Sequence, residues 1–307
     1  AAAPLPAAAQ LVDGPIRLLV GVPPGGSNDL AARMVAEKVT QMTGQQVIVE
    51  NKAGASQRLA VGEVKRAAPD GKTLVLATSG TFTIHPHIFP KLEYDPVADF
   101  TPISGVMSFD AGIAAGESLG LTTIGQAIDW MRANPTKAAY ATPGAGTISH
   151  FTGVLLGDAI GVPLNHIPYR GGAPAITDVV GGQVPFIINS LPDLVEMHRA
   201  GRIRILASSG SERLSTLAEV PTLKESGVDM QATVTVAIYG PAGMAPELVA
   251  KLGKAIADAV NQPDVQERFT RYGLVPRPWN SQELAALLEK ERQQWAAPIK
   301  ASGYVGE

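Results

Sequence analysis

Three glycine-rich segments, each set between a strand-like run and a helix-like run, carry the residue types best suited to binding chemistry. Ile16–Val20 (IRLLV) runs into GVPPGGSND over 21–29, Ala138–Thr142 runs into PGAGTISH over 143–150, and HIPYR runs into Gly171-Gly172-Ala-Pro174. Glycine lets the backbone turn sharply and approach a ligand closely. Ser27 or Asn28 can cap the first helix, and Thr147 or Ser149 the second. A helix leaves its first N–H groups unbonded and carries partial positive charge there, so such an end receives an anion without a lysine. The chemistry expected is capture of a small acid, with charge-assisted hydrogen bonds worth about 1.5–3 kcal/mol each. Capped βα loops with no ligand would explain one such turn. Three in one arrangement favour binding.

Other chemistries leave weaker marks. No G-x-S-x-G elbow occurs, and Ser149 and His150 are neighbours that point about 100° apart on a helix, so they form no nucleophile–base pair. Gly144-Ala-Gly146-Thr-Ile-Ser149 mimics the start of a dinucleotide fingerprint, but the third glycine is missing and Asn165-His166 stands where an acid is needed. No phosphate-binding P-loop is present. His85 and His87 flank Pro86 without a third ligand at metal spacing. No catalytic residue, metal or cofactor is therefore expected. His150 either donates to a ligand or satisfies its own loop. Asp29 either answers the helix dipole, fixes the Pro23–Ser27 loop, or accepts from a ligand amino group. Trp130, Trp279 and Trp295 read as packing.

The elements that must position these turns follow from the hydrophobic pattern. Ile16–Val20, Gln46–Glu50, Thr73–Thr78, Ala138–Thr142, Phe186–Asn189 and Ile203–Ser208 read as short buried strands. Between Leu30 and Met42, apolar residues at Leu30, Met34, Val35, Val39 and Met42 hold one helix face. Ile148, Phe151, Leu155, Leu156 and Ile160 do the same for the next helix. Such alternation predicts α/β layers around mixed, mostly parallel sheets. Phe100–Ala115 and Ala232–Pro241 break it, being extended and free of helical period. Two crossing strands of this kind predict two lobes: residues 14–108 plus 237–307, and an inserted lobe of 109–236. One continuous sheet with two long strands is the alternative. The first two glycine turns then belong to opposite lobes, at strand C-terminal ends, where open α/β sheets bind ligands.

Composition bounds the partners. The 307 residues are 45% hydrophobic and 17% charged, with net charge −3 and no cysteine. Disulfides and thiol chemistry are excluded. Lys and Arg are scattered, so nucleic acid is not an expected partner. No apolar run approaches the roughly 18–20 residues of a membrane span. The opening AAAPLPAAAQ resembles the remains of a signal-peptide cleavage region, and residues 1–13 are expected to be a tail.

PPGGSND, ENKAG, PDGKTLVLAT, YDPVADFTPI, YATPGAGTISH, HIPYRGG, PTLKESG and GPAGMAPELVAKL follow one another in the order seen in Bug-type periplasmic receptors of tripartite tricarboxylate transporters. The chain resembles that family from about Ile16 to its end. The resemblance implies a two-lobe periplasmic binding protein of Venus-flytrap type. Such a protein is not an enzyme; it is secreted, and it passes a small carboxylate to membrane subunits of its transporter. In the family, a ligand carboxylate lies between the first turn and the YAxxGxGSxxH loop, on backbone N–H groups and bridging waters. Carried over, that assigns Gly26, Ser27, Asn28 and Asp29 on one side and Gly144, Gly146, Thr147 and His150 on the other. Tyr169 and Arg170 match a PYKG segment, with arginine where lysine is commoner, and Ser79, Gly80 and Thr81 match another pocket-lining segment.

The family's NRPGAGG reads NKAGASQ here, so Ala53 and Ser56 replace a proline and a glycine. This change is expected to bear on loop stiffness more than on the anion cradle. Pro185, Phe82 and His85 fall at variable positions expected near the ligand's far end. The resulting expectation is a monomeric receptor for a mono- or dicarboxylate, aliphatic or aromatic. Arg170 and polar residues near Thr81 and Asn189 would meet the ligand's remainder. A small-molecule enzyme on a similar scaffold, or a receptor feeding a sensor kinase, are the rival functions.

Overall fold

The structure is a computed structural model that describes residues 10–306. The chain opens with strand β1 (Ile16–Val20), helix α1 (Ser27–Thr43), β2 (Val47–Asn51), α2 (Arg58–Lys65) and β3 (Thr73–Thr78). Two single-turn helices follow, α3 (Gly80–Thr83) and α4 (His85–Ile88), before the long strand β4 (Phe100–Gly116). The next stretch runs α5 (Ile124–Ala133), β5 (Ala139–Thr142), α6 (Ile148–Ile160), β6 (Asn165–Pro168), α7 (Gly172–Val180), β7 (Phe186–Ser190), α8 (Leu191–Arg199) and β8 (Ile203–Ser208). The chain then returns through β9 (Thr233–Pro241) and closes with α9 (Pro246–Val260), α10 (Pro263–Arg271), β10 (Val275–Pro276) and α11 (Ser281–Ser302).

The strands run in the order β2-β1-β3-β9-β4-β7-β5-β6, with β8 and β10 also on β4. Pairing is parallel in the outer parts, β2-β1-β3 and β7-β5-β6, and antiparallel around β4 and β9. β4 changes partners along its length. From Phe100 to Asp110 it lies beside β9, and from Ala111 onward it pairs with β7 on one side and β8 on the other.

Alternation along the strands explains why both faces are covered. Leu18 and Val20 turn to one face of the first half-sheet, where Met34, Val35 and Val39 of α1 pack with Leu252 and Ile256 of α9. Leu19, Val75 and Ala77 turn to the other face, against Phe82, Tyr94, Phe100 and Tyr239. A sheet buried on both sides needs near-continuous apolar runs, and Leu18–Val20 and the LVLA of TLVLAT are such runs.

The folded part starts before Gly14. Leu11 and Val12 are buried in the first core, and Val12 N–H donates to Gln45 Oε1 at 3.0 Å, so the apolar pair ends the expected tail early. Residues 1–9 of that tail lie outside the described residues. Phe82 and His85 are buried as well. Phe82 packs at a tilt against Tyr239 with ring centroids 4.1 Å apart, and His85 Nδ1 meets Tyr94 OH at 3.0 Å, so both serve the core where variable ligand contacts were expected.

Candidate functional site

The first glycine turn is held rigid from within. Gly25 takes a left-handed φ of 97° and its N–H donates to Asp29 Oδ2 at 3.0 Å. Arg33 Nε donates to the same oxygen at 3.0 Å, and Asn51 Nδ2 to Oδ1 at 2.8 Å. Burial pushes the Asp29 carboxyl up, but these bonds outweigh it and hold the group below the usual range. Asp29 therefore fixes the loop, and both of its oxygens are already engaged. The N-cap of α1 is Gly26, with no side-chain cap; Ser27 and Asn28, expected as caps, are the first helical residues. Ser27 N–H donates to Asp193 Oδ1 at 3.1 Å, while the N–H groups of Asn28 and Asp29 find no acceptor among the described residues.

The second turn is a cap of ordinary chemistry. Thr147 is the N-cap of α6, its hydroxyl accepting His150 N–H at 3.2 Å and donating to Gly144 O at 2.8 Å. His150 Nδ1 accepts Gly146 N–H at 3.2 Å. The ring is 2% exposed and stacks on His166 at 3.8 Å. Burial first, and the neighbouring His166 second, push its pKa down to about 3, so it is neutral near pH 7. His150 thus satisfies its loop. The Ile148 and Ser149 N–H groups at the head of α6 find no acceptor among the described residues.

Contacts join these turns into a ring. Ser56 Oγ, on the β2–α2 connection, donates to Ala145 O at 2.7 Å. A Cβ on Gly80 would stand 3.2 Å from Ile148, one on Gly171 would stand 3.4 Å from Pro23, and one on Gly172 would stand 2.5 Å from Asn189 Nδ2. Ser27 Oγ meets Ser190 Oγ at 3.1 Å. Gln57 lies under Gly21 and braces β3, its Nε2 donating to Thr78 Oγ1 at 2.8 Å.

Half of the buried side-chain polar atoms without partners among the described residues lie here: Asn28 Oδ1, Ser79 Oγ, Thr81 Oγ1 and Asn189 Nδ2. Leaving such a group unsatisfied costs about 1–3 kcal/mol, and native proteins carry few of them. The Ser79 hydroxyl also faces Glu291, whose carboxyl burial raises although the Ser79 and Thr235 hydroxyls pull it down. Open surface cavities of about 520 Å³ lie elsewhere, one lined by Thr123, His198, Arg204 and Arg213, and neither is lined by an unpartnered buried atom.

Tyr169 OH donates to Asp178 Oδ2 at 2.6 Å, and Arg170 is exposed. Ser56, Gln57, Ser190 and Asp193 join the ring without having been singled out as ligand residues. Ser190-Leu-Pro-Asp193 reads in sequence as a helix start, and only the tertiary fold turns it toward α1.

The model of the tripartite tricarboxylate transporter family receptor matches residues 31–304. The chain belongs to that family. This receptor is 32% identical over 304 residues to a UPF0065 protein in the gbd 5' region of Cupriavidus necator, covering 98% of this chain and 92% of the relative. Its fold matches the periplasmic binding protein BugD at a TM-score of 0.89 and 30% identity, over 96% of this chain and 99% of that one. It matches R. palustris Rpa4515 with adipate at 0.91 and 26%, over 95% and 98%. It matches MatC of Rhodopseudomonas palustris with bound malate at 0.86 and 29%, over 93% and 98%. The receptor is thus a solute-binding protein with the periplasmic-binding fold, and its family and structural neighbours are binding proteins.

Proposed function

We propose that this receptor closes two lobes over a small carboxylate in the periplasm and delivers it, as a monomer, to the membrane subunits of a tripartite tricarboxylate transporter. One observation carries the reading. Open N–H pairs at the heads of α1 and α6 and unpartnered atoms on Asn28, Thr81 and Asn189 belong to one ring of contacts. An acid entering that ring would meet donors that the protein leaves unused. Binding of adipate and malate by similar proteins supports the acid class. The change of β4 partners at Asp110 supports a division into residues 14–108 plus 237–307 and 109–236, with the return crossing nearer Thr233. Among the described residues, no helix is long and apolar enough to cross a membrane.

The test is a thermal-shift screen with mono-, di- and tricarboxylates, aromatic acids, their amides, and neutral sugars. At a hundredfold excess over Kd a ligand adds about 2.7 kcal/mol of stability. An acid that raises the melting temperature while its amide does not supports the reading. A shift with neutral compounds alone overturns it, and so does turnover of a bound acid.

A further inference from the structure

We propose that Asp193 selects the charge of the ligand, by occupying the position at the head of α1 that a second ligand carboxylate would need. The inference rests on the carboxylate-receptor reading above and adds what the far end of the acid must be.

Two helices begin face to face in the ring. α1 starts directly after Gly26, and α8 starts directly after Ser190. Asp193 sits in the first turn of α8, and its Oδ1 reaches across to Ser27 N–H at 3.1 Å. Its Oδ2 lies 3.9 Å from where a Cβ on Gly26 would be. The partial positive charge at both helix ends is therefore answered by one carboxylate that belongs to the protein. Ser27 is the hydrogen-bonding partner of that carboxylate, and among the described residues no lysine or arginine pairs with it.

What remains open beside Asp193 is neutral. Asn28 Oδ1 is an unpartnered acceptor, 91% buried by its 9% residue exposure, and Asn189 Nδ2 is an unpartnered donor on a residue 2% exposed. A hydroxyl, amide or ammonium group satisfies this set. A second carboxylate would sit against Asp193 at a partly buried position, where like charges repel. The turn before α6 is the opposite case: residues 143–151 contain no acidic side chain, and the Ile148 and Ser149 N–H groups find no acceptor among the described residues. The acid therefore lies with its single carboxylate toward α6 and an uncharged or cationic hydrogen-bonding end toward Asp193.

The test is calorimetric titration of wild type, Asp193→Asn and Asp193→Ser with acids matched in length. Hexanoate, 6-hydroxyhexanoate and adipate form one set; butyrate, 4-hydroxybutyrate and succinate form another. Thermal melts establish that each variant is folded. In wild type, the hydroxy acid is expected to bind tighter than the diacid of its set by about tenfold or more. In at least one folded variant that ratio should shrink by about tenfold or reverse, through tighter binding of the diacid. Wild type favouring the diacid, or a ratio unchanged in the folded variants, overturns the role of Asp193 while leaving the receptor reading intact. Absence of binding by any of these acids or by any acid in the wider screen overturns both.

Discussion

Ser56 holds a backbone conformation that glycine would adopt more easily. Ala55, Ser56 and Gln57 lie in succession at φ values of 45°, 51° and 74°. For a side-chain-bearing residue the left-handed region costs about 1–2 kcal/mol. The protein sustains the run because its side chains are engaged, Ser56 on Ala145 O across the ring and Gln57 on Thr78. Two substitutions separate conformation from contact. Ser56→Ala keeps the strain and removes the hydroxyl, whereas Ser56→Gly removes both. In chemical denaturation, Ser56→Gly should be more stable than Ser56→Ala by about 1 kcal/mol. Both should weaken ligand binding by up to about tenfold, the worth of one hydrogen bond of 0.5–1.5 kcal/mol. Equal stability of the two variants would mean that the left-handed turn is not strained. In the sequence, NKAGASQ marks a loop whose stiffness differs from that of similar proteins. It gives no sign that the serine crosses to another loop 89 positions away.

At the scale of the element, α6 shows how a helix can be fixed by what it lacks. Gly153 lies in its middle, where alanine would ordinarily add about 1 kcal/mol. Here a Cβ would overlap the Tyr140 ring, whose hydroxyl donates to His150 O at 2.9 Å. The ring is 1% exposed and cannot swing away, so overpacking, typically about 1–3 kcal/mol, outweighs the propensity gain. Gly153→Ala should lower the melting temperature; a rise would show that Tyr140 can move.

The same helix carries a pH response. Burial lowers His150 to about 3, His166 on β6 to about 4 and His85, the first residue of α4, to about 3. Because these folded values lie below the ordinary 6.5, the unfolded chain binds protons that the folded chain refuses. Stability is then complete above about pH 6.5 and falls with acid down toward pH 3–4. Melting temperatures measured from pH 7.5 to 4.5 should decline, and His166→Gln should flatten the decline. Helix and strand existence was legible because period 3.6 and apolar runs are local signals. The stacking of His150 on His166 was not, since it arises only when β6 sets its strand beside β5.

For the whole molecule, the decisive feature is that the crossing strands are tied together where β4 changes partners. Ser209, fully buried, stands at that junction. Its hydroxyl accepts Ala111 N–H at 2.9 Å and donates to Ala232 O. Its own backbone completes the tie, the N–H donating to Ala111 O at 2.8 Å and the carbonyl accepting Ala232 N–H at 2.9 Å. Sequence placed the two crossings by their lack of helical period, but a lone serine after β8 carried no hint that it joins them. Since β4 belongs to both halves of the sheet, neither half keeps its strand order when the other unfolds, and unfolding should be a single transition. Ser209→Ala would strand a buried donor at Ala111 and a buried acceptor at Ala232, each costing about 1–3 kcal/mol. In a chain of this size about 1 kcal/mol moves the melting temperature by roughly 1.5 °C. The variant should therefore melt several degrees lower, still in one step by calorimetry. Two separated transitions in either protein would mean that the crossing strands join the halves without coupling their folding.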